Sequence, residues 1–80
     1  DHKRNNYLAA LYAKEQIIGI SFCDVSTGEF YAYQINQKDL RNQFGLFSPQ
    51  EILISKRQKS MLEEIIHKYS PATRITTVED

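Results

Sequence analysis

The stretch Asp24-Val25-Ser26-Thr27-Gly28-Glu29-Phe30 separates two runs of β-branched and aromatic residues, at 17–23 and 31–35. Gly28 can adopt the positive φ that tight hairpin loops demand. The Asp24 carboxylate, and more weakly the nearby hydroxyl groups, can accept hydrogen bonds from the amides of the turn. The stretch therefore predicts a β-hairpin. The predicted structural turn consists of Asp24, Ser26, Thr27 and Gly28.

Strands are predicted on both sides of this turn. The run 7–13 is apolar on both of its alternating faces, which is typical of a central strand covered on both sides, although an alanine-rich run can equally be helical. After a polar turn at 14–16, the run 17–25 alternates between large and small side chains, and 29–35 returns as a third strand. We expect the three strands to be antiparallel. The large face of the second strand carries Ile18, Ile20 and Phe22, and the small face carries Gly19, Ser21 and Cys23.

A first helix is predicted after the third strand, because the apolar period changes to three and four residues. Its stripe consists of Leu40, Phe44 and Phe47. Asn36 is the predicted N-cap, and Ser48-Pro49 ends the helix.

A short strand, a second helix and a last strand follow. The continuous apolar run in 51–54 predicts a strand buried on both faces. Ser60 with Glu63 matches a capping box at the start of the next helix, and Ser70-Pro71 stops that helix. The β-branched segment 73–78 predicts the final strand. The stripe of the second helix is Leu62, Ile65, Ile66 and Tyr69.

The resulting order is β-β-β-α-β-α-β. Three antiparallel strands followed by alternating helices and parallel strands, with right-handed crossovers, give a mixed sheet packed against helices. The sequence therefore predicts an α/β fold with a ribonuclease H-like mixed sheet. Residues 1–6 read as a linker and 7–80 as one small domain.

Charge and cysteine content limit the partners. Ten basic and ten acidic residues cancel, so no long-range field draws the chain to nucleic acid or to an anionic membrane. Cys23 is the single cysteine, and neither a signal peptide nor a long apolar run is present, which favours a reducing, cytoplasmic setting with no membrane partner. The chain begins without Met, and we expect it to be a fragment of a longer protein.

Three motifs carry a resemblance to a known family. They are Asn6-Tyr7-Leu8-Ala9-Ala10, the turn stretch 24–30, and Ser48-Pro49-Gln50-Glu51-Ile52-Leu53. In this order and rough spacing they resemble the connector domain (domain II) of the DNA mismatch repair protein MutS, whose helix-to-strand passage is of the type Asn-Pro-Ala-Glu-Ile-Leu. The similarity runs over residues 5–80.

The resemblance implies a fold and a function. It implies a ribonuclease H-like connector domain at 7–80 whose C-terminal part is missing, with no cofactor in this segment. The full-length protein would recognise mismatched DNA and act as a DNA-dependent ATPase that uses ATP and Mg²⁺. The connector would link the mismatch-recognition and ATPase parts and help engage MutL.

Catalytic constellations are not found in the sequence. Nucleases of ribonuclease H-like fold use carboxylates to hold two metal ions, yet the predicted first strand carries no acid and the fourth ends in Ser55. Cys23 and His67 read as a small buried side chain and an exposed helical histidine, and with His2 they do not reach the ligand density of a zinc site. We therefore predict no catalytic, cofactor-binding or metal-binding residue, and no enzymatic activity of the segment itself.

One basic run is the candidate for contact with nucleic acid or a partner. It consists of Lys56, Arg57 and Lys59, and His2-Lys3-Arg4 is a second basic segment. Tyr31 and Tyr33 alternate on one strand, where they are core residues, a site covered by a neighbouring domain, or a platform on which bases stack. The alternative to a connector is therefore a nucleic-acid-binding or nuclease-like module of ribonuclease H fold.

Overall fold

Five strands form a single mixed sheet in the computed structural model, which describes residues 6–79. The α/β prediction with a mixed sheet and two helices is confirmed. Short 3-10 turns, Gln37–Asp39 and Lys56–Gln58, precede the two helices. In chain order the elements are β1 (Tyr7–Lys14), β2 (Ile17–Asp24), β3 (Phe30–Asn36), α1 (Leu40–Phe47), β4 (Glu51–Ser55), α2 (Lys59–Tyr69) and β5 (Arg74–Val78).

The strands lie in the order β3-β2-β1-β4-β5, with β1 at the centre. β1 and β2 are antiparallel over their whole length, from Tyr7 opposite Asp24 to Lys14 opposite Ile17. β2 and β3 are also antiparallel, whereas β4 is parallel to both β1 and β5. The antiparallel and parallel halves of the sheet therefore meet at β1.

Both helices pack on the same face of this sheet. Leu40 and Phe44 of α1 and Leu62 and Ile66 of α2 belong to one buried core together with alternate residues of β1, β2 and β4. Rings add to this core, since Phe22 stacks on Phe47 with centroids 4.0 Å apart. The buried strand residues are Tyr7, Ala9, Leu11, Ala13, Ile18, Ile20, Phe22, Ile52 and Ile54.

The opposite face is open, which corrects the expectation that β1 and β4 are covered on both sides. Leu8, Ala10 and Leu53 are only half-buried, and Tyr12 is 45% exposed. Apolar residues at successive positions make a strand compatible with burial on two faces, but burial also needs a second layer. Among residues 6–79 both helices contribute to the same core on the other side.

The start of α1 also differs from the prediction. Asn36 does stand at the N-cap position of the 3-10 turn that leads into α1, but its side chain makes no capping hydrogen bond. The predicted end is confirmed, because α1 stops at Phe47 and Ser48 adopts a left-handed conformation with φ of 44°. The Ser48 amide donates to the Phe44 carbonyl at 2.8 Å, and the ring of Pro49 follows.

The capping box at Ser60 and Glu63 is wrong. Ser55, the last residue of β4, caps the 3-10 turn instead, with its hydroxyl accepting from the Arg57 amide at 3.2 Å. α2 already begins at Lys59, so Ser60 lies within its first turn. The chain becomes helical directly after β4. The free amides of the new helical turn therefore lie next to Ser55, whose hydroxyl accepts a hydrogen bond from one of them.

The hairpin connects β2 and β3 through a tight turn. β2 ends at Asp24 and β3 begins at Phe30, one residue inside the predicted bounds at each side. The Gly28 amide donates to the Asp24 carbonyl at 2.7 Å, and Gly28 has φ of 83°, in the left-handed region. Open space surrounds its Cα, because no atom lies within 4 Å of an added Cβ.

Gly28→Ala should destabilise the fold by about 1 kcal/mol, because a Cβ strains a positive φ even where there is room for it. Gly45→Ala is the matched control. Gly45 lies within α1, also with open space around it, and alanine there should stabilise the chain by about 0.5–1 kcal/mol. Chemical denaturation of both variants measures the two shifts. Equal shifts of the same sign would contradict the turn assignment.

Candidate functional site

The residues singled out in the sequence fall at opposite ends of the sheet. The turn after Asp24 lies beside Tyr7, at the amino end of β1, because these two residues pair across the ladder. The basic run follows Ser55 at the carboxyl end of β4, which is parallel to β1. The structure therefore does not bring the turn and the basic run together. The segment His2-Lys3-Arg4 lies outside the described residues.

Asp24 organises the turn from a buried position. Its Oδ1 atom accepts from the Ser26 amide at 2.9 Å, from the Ser26 hydroxyl at 2.6 Å and from the Thr27 amide at 3.3 Å. The Thr27 hydroxyl in turn accepts from the Glu29 amide at 3.2 Å. The Asp24 side chain is fully buried, so its carboxylate accepts hydrogen bonds from the turn instead of from water.

The surroundings of Asp24 favour its charged form. The hydroxyl bond from Ser26 holds the pKa of the carboxyl below its usual value of 3.8, with the amide bonds from Ser26 and Thr27 adding to the effect and burial opposing it. The second oxygen, Oδ2, is buried without a hydrogen-bond partner among the described residues. Oδ1 therefore accepts all of the hydrogen bonds that Asp24 receives from Ser26 and Thr27.

Each member of the basic run has a neighbour of its own. The Arg57 guanidinium donates to the Tyr12 hydroxyl at 2.8 Å, Lys56 lies 3.5 Å from Glu79, and Lys59 lies 3.9 Å from Glu63. These side chains are exposed, and surface ion pairs of this kind contribute little stability. Their effect is on the local field, because the two acids offset much of the positive charge that the sequence places here.

The side chain of Gln58 has a structural role that the sequence did not reveal. Its Oε1 accepts from the Ala13 amide at 2.8 Å, and its Nε2 donates to the Ala13 carbonyl at 2.7 Å. The β1–β4 register ends at Leu11 opposite Ile54, so the amide group continues the hydrogen bonding of β1 beyond it. The two residues are 45 positions apart, and no local pattern signals such a contact.

The two tyrosines of β3 lie on the helix-covered side of the sheet. Tyr33 is half-buried and its hydroxyl donates to Gln43 of α1, while burial raises the pKa of the phenol. The Tyr31 ring packs against Phe47 with centroids 5.5 Å apart. Both rings are thus engaged by α1. Tyr33 therefore fits the core interpretation, whereas Tyr31, which is 41% exposed, rests on Phe47 at the margin of the core.

The open face of the sheet is a surface on which apolar and small residues meet. In the antiparallel half, the row Ala10, Ser21 and Ala32 crosses three strands in direct register. Tyr12, Gly19 and Gln34 border this row, and the resulting trough encloses about 460 Å³. No charged residue lines it. Such a surface suits contact with another protein layer better than contact with phosphate.

The described residues show no cluster of acids, histidines and cysteines that could hold a metal ion. The exposed His67 lies on α2, whereas the half-buried Cys23 lies on the open face of β2. The Ser55 hydroxyl at the end of β4 is buried and caps the following turn. Within the described residues no helix is long and apolar enough to cross a membrane.

Comparison with known proteins gives the family. The model of MutS domain II matches residues 6–80. The chain belongs to the MutS domain II family. It is 45% identical over 62 residues to the DNA mismatch repair protein MutS of Flavobacterium psychrophilum, which covers 78% of this chain and 7% of that protein. It is 33% identical over 84 residues to MutS of Chlorobium phaeovibrioides, covering 100% of this chain and 10% of that protein.

The MutS domain II match covers the described part of the chain in full. MutS of Porphyromonas gingivalis is 38% identical over 66 residues, which is 82% of this chain and 7% of the relative. The chain thus spans about a tenth or less of the curated relatives that it matches. The family resemblance read from the three motifs is confirmed.

The stability contributed by ionised Asp24 should be lost in acid. Because its pKa is lowered in the folded state, this contribution is present above pH 3.8 and disappears as the pH falls through the folded pKa. Asp24→Asn should therefore be less stable than the wild type at neutral pH, and the difference should narrow below pH 3.8. Thermal melting of both proteins across the acidic range measures it. A difference that stays constant with pH would contradict an ionised Asp24.

Gln58→Leu should cost roughly 1–3 kcal/mol of unfolding free energy, because it leaves the amide and carbonyl of Ala13 without their partners. Gln50→Leu serves as the control, since Gln50 is exposed. Urea denaturation measures both variants. The hydrogen exchange of the Ala13 amide should also accelerate in Gln58→Leu alone. Unchanged exchange at Ala13 would show that the side-chain bond does not hold this strand end.

Proposed function

We propose that this chain is the connector domain of a MutS-type mismatch repair protein. In this role it links the mismatch-recognition and ATPase parts of the longer protein and helps engage MutL. The segment itself is non-catalytic and binds no cofactor, and ATP and Mg²⁺ act elsewhere in the full-length, cytoplasmic protein. Membership of the MutS domain II family supports the assignment.

The strand arrangement supports a ribonuclease H-like fold for this connector. Three antiparallel strands are followed by two helix-strand units whose strands are parallel to the central one. Fold alone does not confer nuclease activity. The central strand reads Tyr-Leu-Ala-Ala-Leu-Tyr-Ala-Lys, so it offers no carboxylate for a metal ion.

The observation that carries the proposal is the chemistry of the open face. The trough over Ala10, Ser21 and Ala32 is uncharged and lined by small and apolar side chains. A connector has to contact neighbouring domains, and an uncharged surface of small and apolar residues can pack against another protein layer. A nucleic-acid module would instead present unpaired positive charge along a groove. Here the acids Glu63 and Glu79 lie beside the basic run.

We expect the chain to show no binding of duplex or mismatched DNA at physiological salt. Zero net charge and the ion pairs at Lys56 and Lys59 leave little to gain from counterion release. Fluorescence anisotropy of labelled DNA, with and without a mismatch, measures this. The comparison variant carries Lys56→Glu, Arg57→Glu and Lys59→Glu together.

A labelled chain titrated with MutL provides the positive counterpart and should give saturable binding. Tight, salt-sensitive DNA binding by the wild type that disappears in the triple variant would favour the nucleic-acid-binding alternative. Cleavage of plasmid, RNA or RNA–DNA hybrid in Mg²⁺ or Mn²⁺, abolished by Glu29→Gln at an exposed position, would favour the nuclease-like alternative. Absence of MutL binding would contradict the engagement of MutL by this segment.

A further inference from the structure

β3 forms one edge of the sheet, and its hydrogen bonds to β2 show which of its backbone groups point outward. The Asp24 amide donates to the Glu29 carbonyl at one end of the pair, and the Gln37 amide donates to the Gln16 carbonyl at the other. Hydrogen-bonded pairs alternate along an antiparallel ladder. With the register of Ile20 opposite Tyr33, the inward residues of β3 are Tyr31, Tyr33 and Ile35, and the outward ones are Phe30, Ala32, Gln34 and Asn36.

This edge lacks the features by which edge strands avoid further pairing. Edges are usually protected by charged residues, proline, a bulge or a short length. β3 reads Phe-Tyr-Ala-Tyr-Gln-Ile-Asn, without charge, proline or glycine, and its register with β2 runs unbroken over seven residues. Its side chains are also accessible, with Phe30 64% and Tyr31 41% exposed.

By comparison, the other edge of the sheet, β5, is protected against pairing with a further strand. β5 has only five residues and begins with the exposed Arg74. Just beyond its end, Glu79 pairs with Lys56. A strand added there would meet charged side chains at both ends of a short edge. Glu29 precedes β3 in a similar way, but β3 is two residues longer and carries no charge within it, which singles out β3.

We propose that the outer edge of β3 pairs with β3 of a second copy of this chain, antiparallel about a two-fold axis at Tyr33. In this register every outward residue of one strand lies opposite an outward residue of the other. Phe30 lies opposite Asn36 of the second copy, and Ala32 lies opposite Gln34. Both edges thus contribute all of their outward amides and carbonyls to the new ladder. The contact is isologous, so it closes at a dimer.

The side chains across this contact are compatible with self-association. On the helix-covered face, Tyr31 lies opposite Ile35 of the second copy, an aromatic and β-branched pair of the kind that stabilises antiparallel strands. The strand carries no charge and the chain has zero net charge, so two copies do not repel one another. The absence of charge on the strand and the Tyr31–Ile35 pairs on both sides of the axis favour a second copy over a foreign strand.

Sedimentation velocity of the chain over a wide concentration range tests the proposal. The wild type should show a reversible monomer–dimer equilibrium. Gln34→Pro removes one outward amide without removing a hydrogen bond to β2, and it should raise the dimer dissociation constant by at least about tenfold. Gln34→Ala keeps the amide and is the matched control, expected to leave the constant nearly unchanged.

A second pair of variants guards against a folding defect in the proline variant. Ala32→Lys places a charge on the β3 edge, and Val78→Lys places the same charge on the β5 edge. Both positions are exposed strand residues, so both variants should fold, as thermal melting checks. Only Ala32→Lys should weaken the dimer.

Hydrogen exchange locates the contact. Raising the protein concentration should slow exchange of the Ala32 and Gln34 amides, whereas the Tyr33 amide, already directed toward β2, should exchange slowly at every concentration. A chain that stays monomeric at high concentration overturns the proposal. So does an open-ended polymer, or a dimer whose protection falls on β5 or leaves the outward amides of β3 unprotected.

Discussion

Hydrogen bonding along both edges of β1 is the constraint on which the rest of the structure depends. On one edge β1 pairs with β2 over its whole length, and on the other it pairs with β4. Where that second pairing ends, the side chain of Gln58 satisfies Ala13. Because β1 is antiparallel to one neighbour and parallel to the other, it alone joins the hairpin half of the sheet to the helix-strand half. Unpaired amides and carbonyls in a central strand are costly, so the loss of either neighbour would destabilise the sheet.

The alternation of side chains on β1 sets the character of the two surfaces. Tyr7, Ala9, Leu11 and Ala13 enter the core under the helices, which leaves Leu8, Ala10 and Tyr12 on the other face. The trough on that face is uncharged because the neighbouring residues on β2 and β3 are also small or neutral, and Lys14 lies beyond it at the end of β1. The surfaces of this MutS domain II chain are therefore suited to packing and pairing. At the carboxyl end of β4, Glu79 and Glu63 offset the positive charge of Lys56 and Lys59.

Two buried polar side chains at the ends of the sheet have local structural roles. Asp24, the buried acid of the hairpin, is committed to the turn through Oδ1, which accepts from Ser26 and Thr27. Ser55, at the end of β4, is committed to the cap of the next turn. Both side chains therefore stabilise the local backbone geometry of the turn that follows their strand. The connector role proposed for this chain is consistent with that use of its polar residues.

The sequence by itself determined the local structure: the hairpin turn with Gly28 at positive φ, the apolar stripes of both helices, and their ends at Ser48-Pro49 and Ser70-Pro71. Each of these depends on residues within a few positions of one another. Three motifs also sufficed to indicate the family. Only the tertiary structure decided that Ser55 and not Ser60 caps the second helical segment, since this depends on where β4 stops pairing. It alone decided that Gln58 holds Ala13 and that both helices cover one face of the sheet. Such outcomes depend on contacts between residues far apart in the chain, and an alternating pattern specifies two faces without specifying what packs on each.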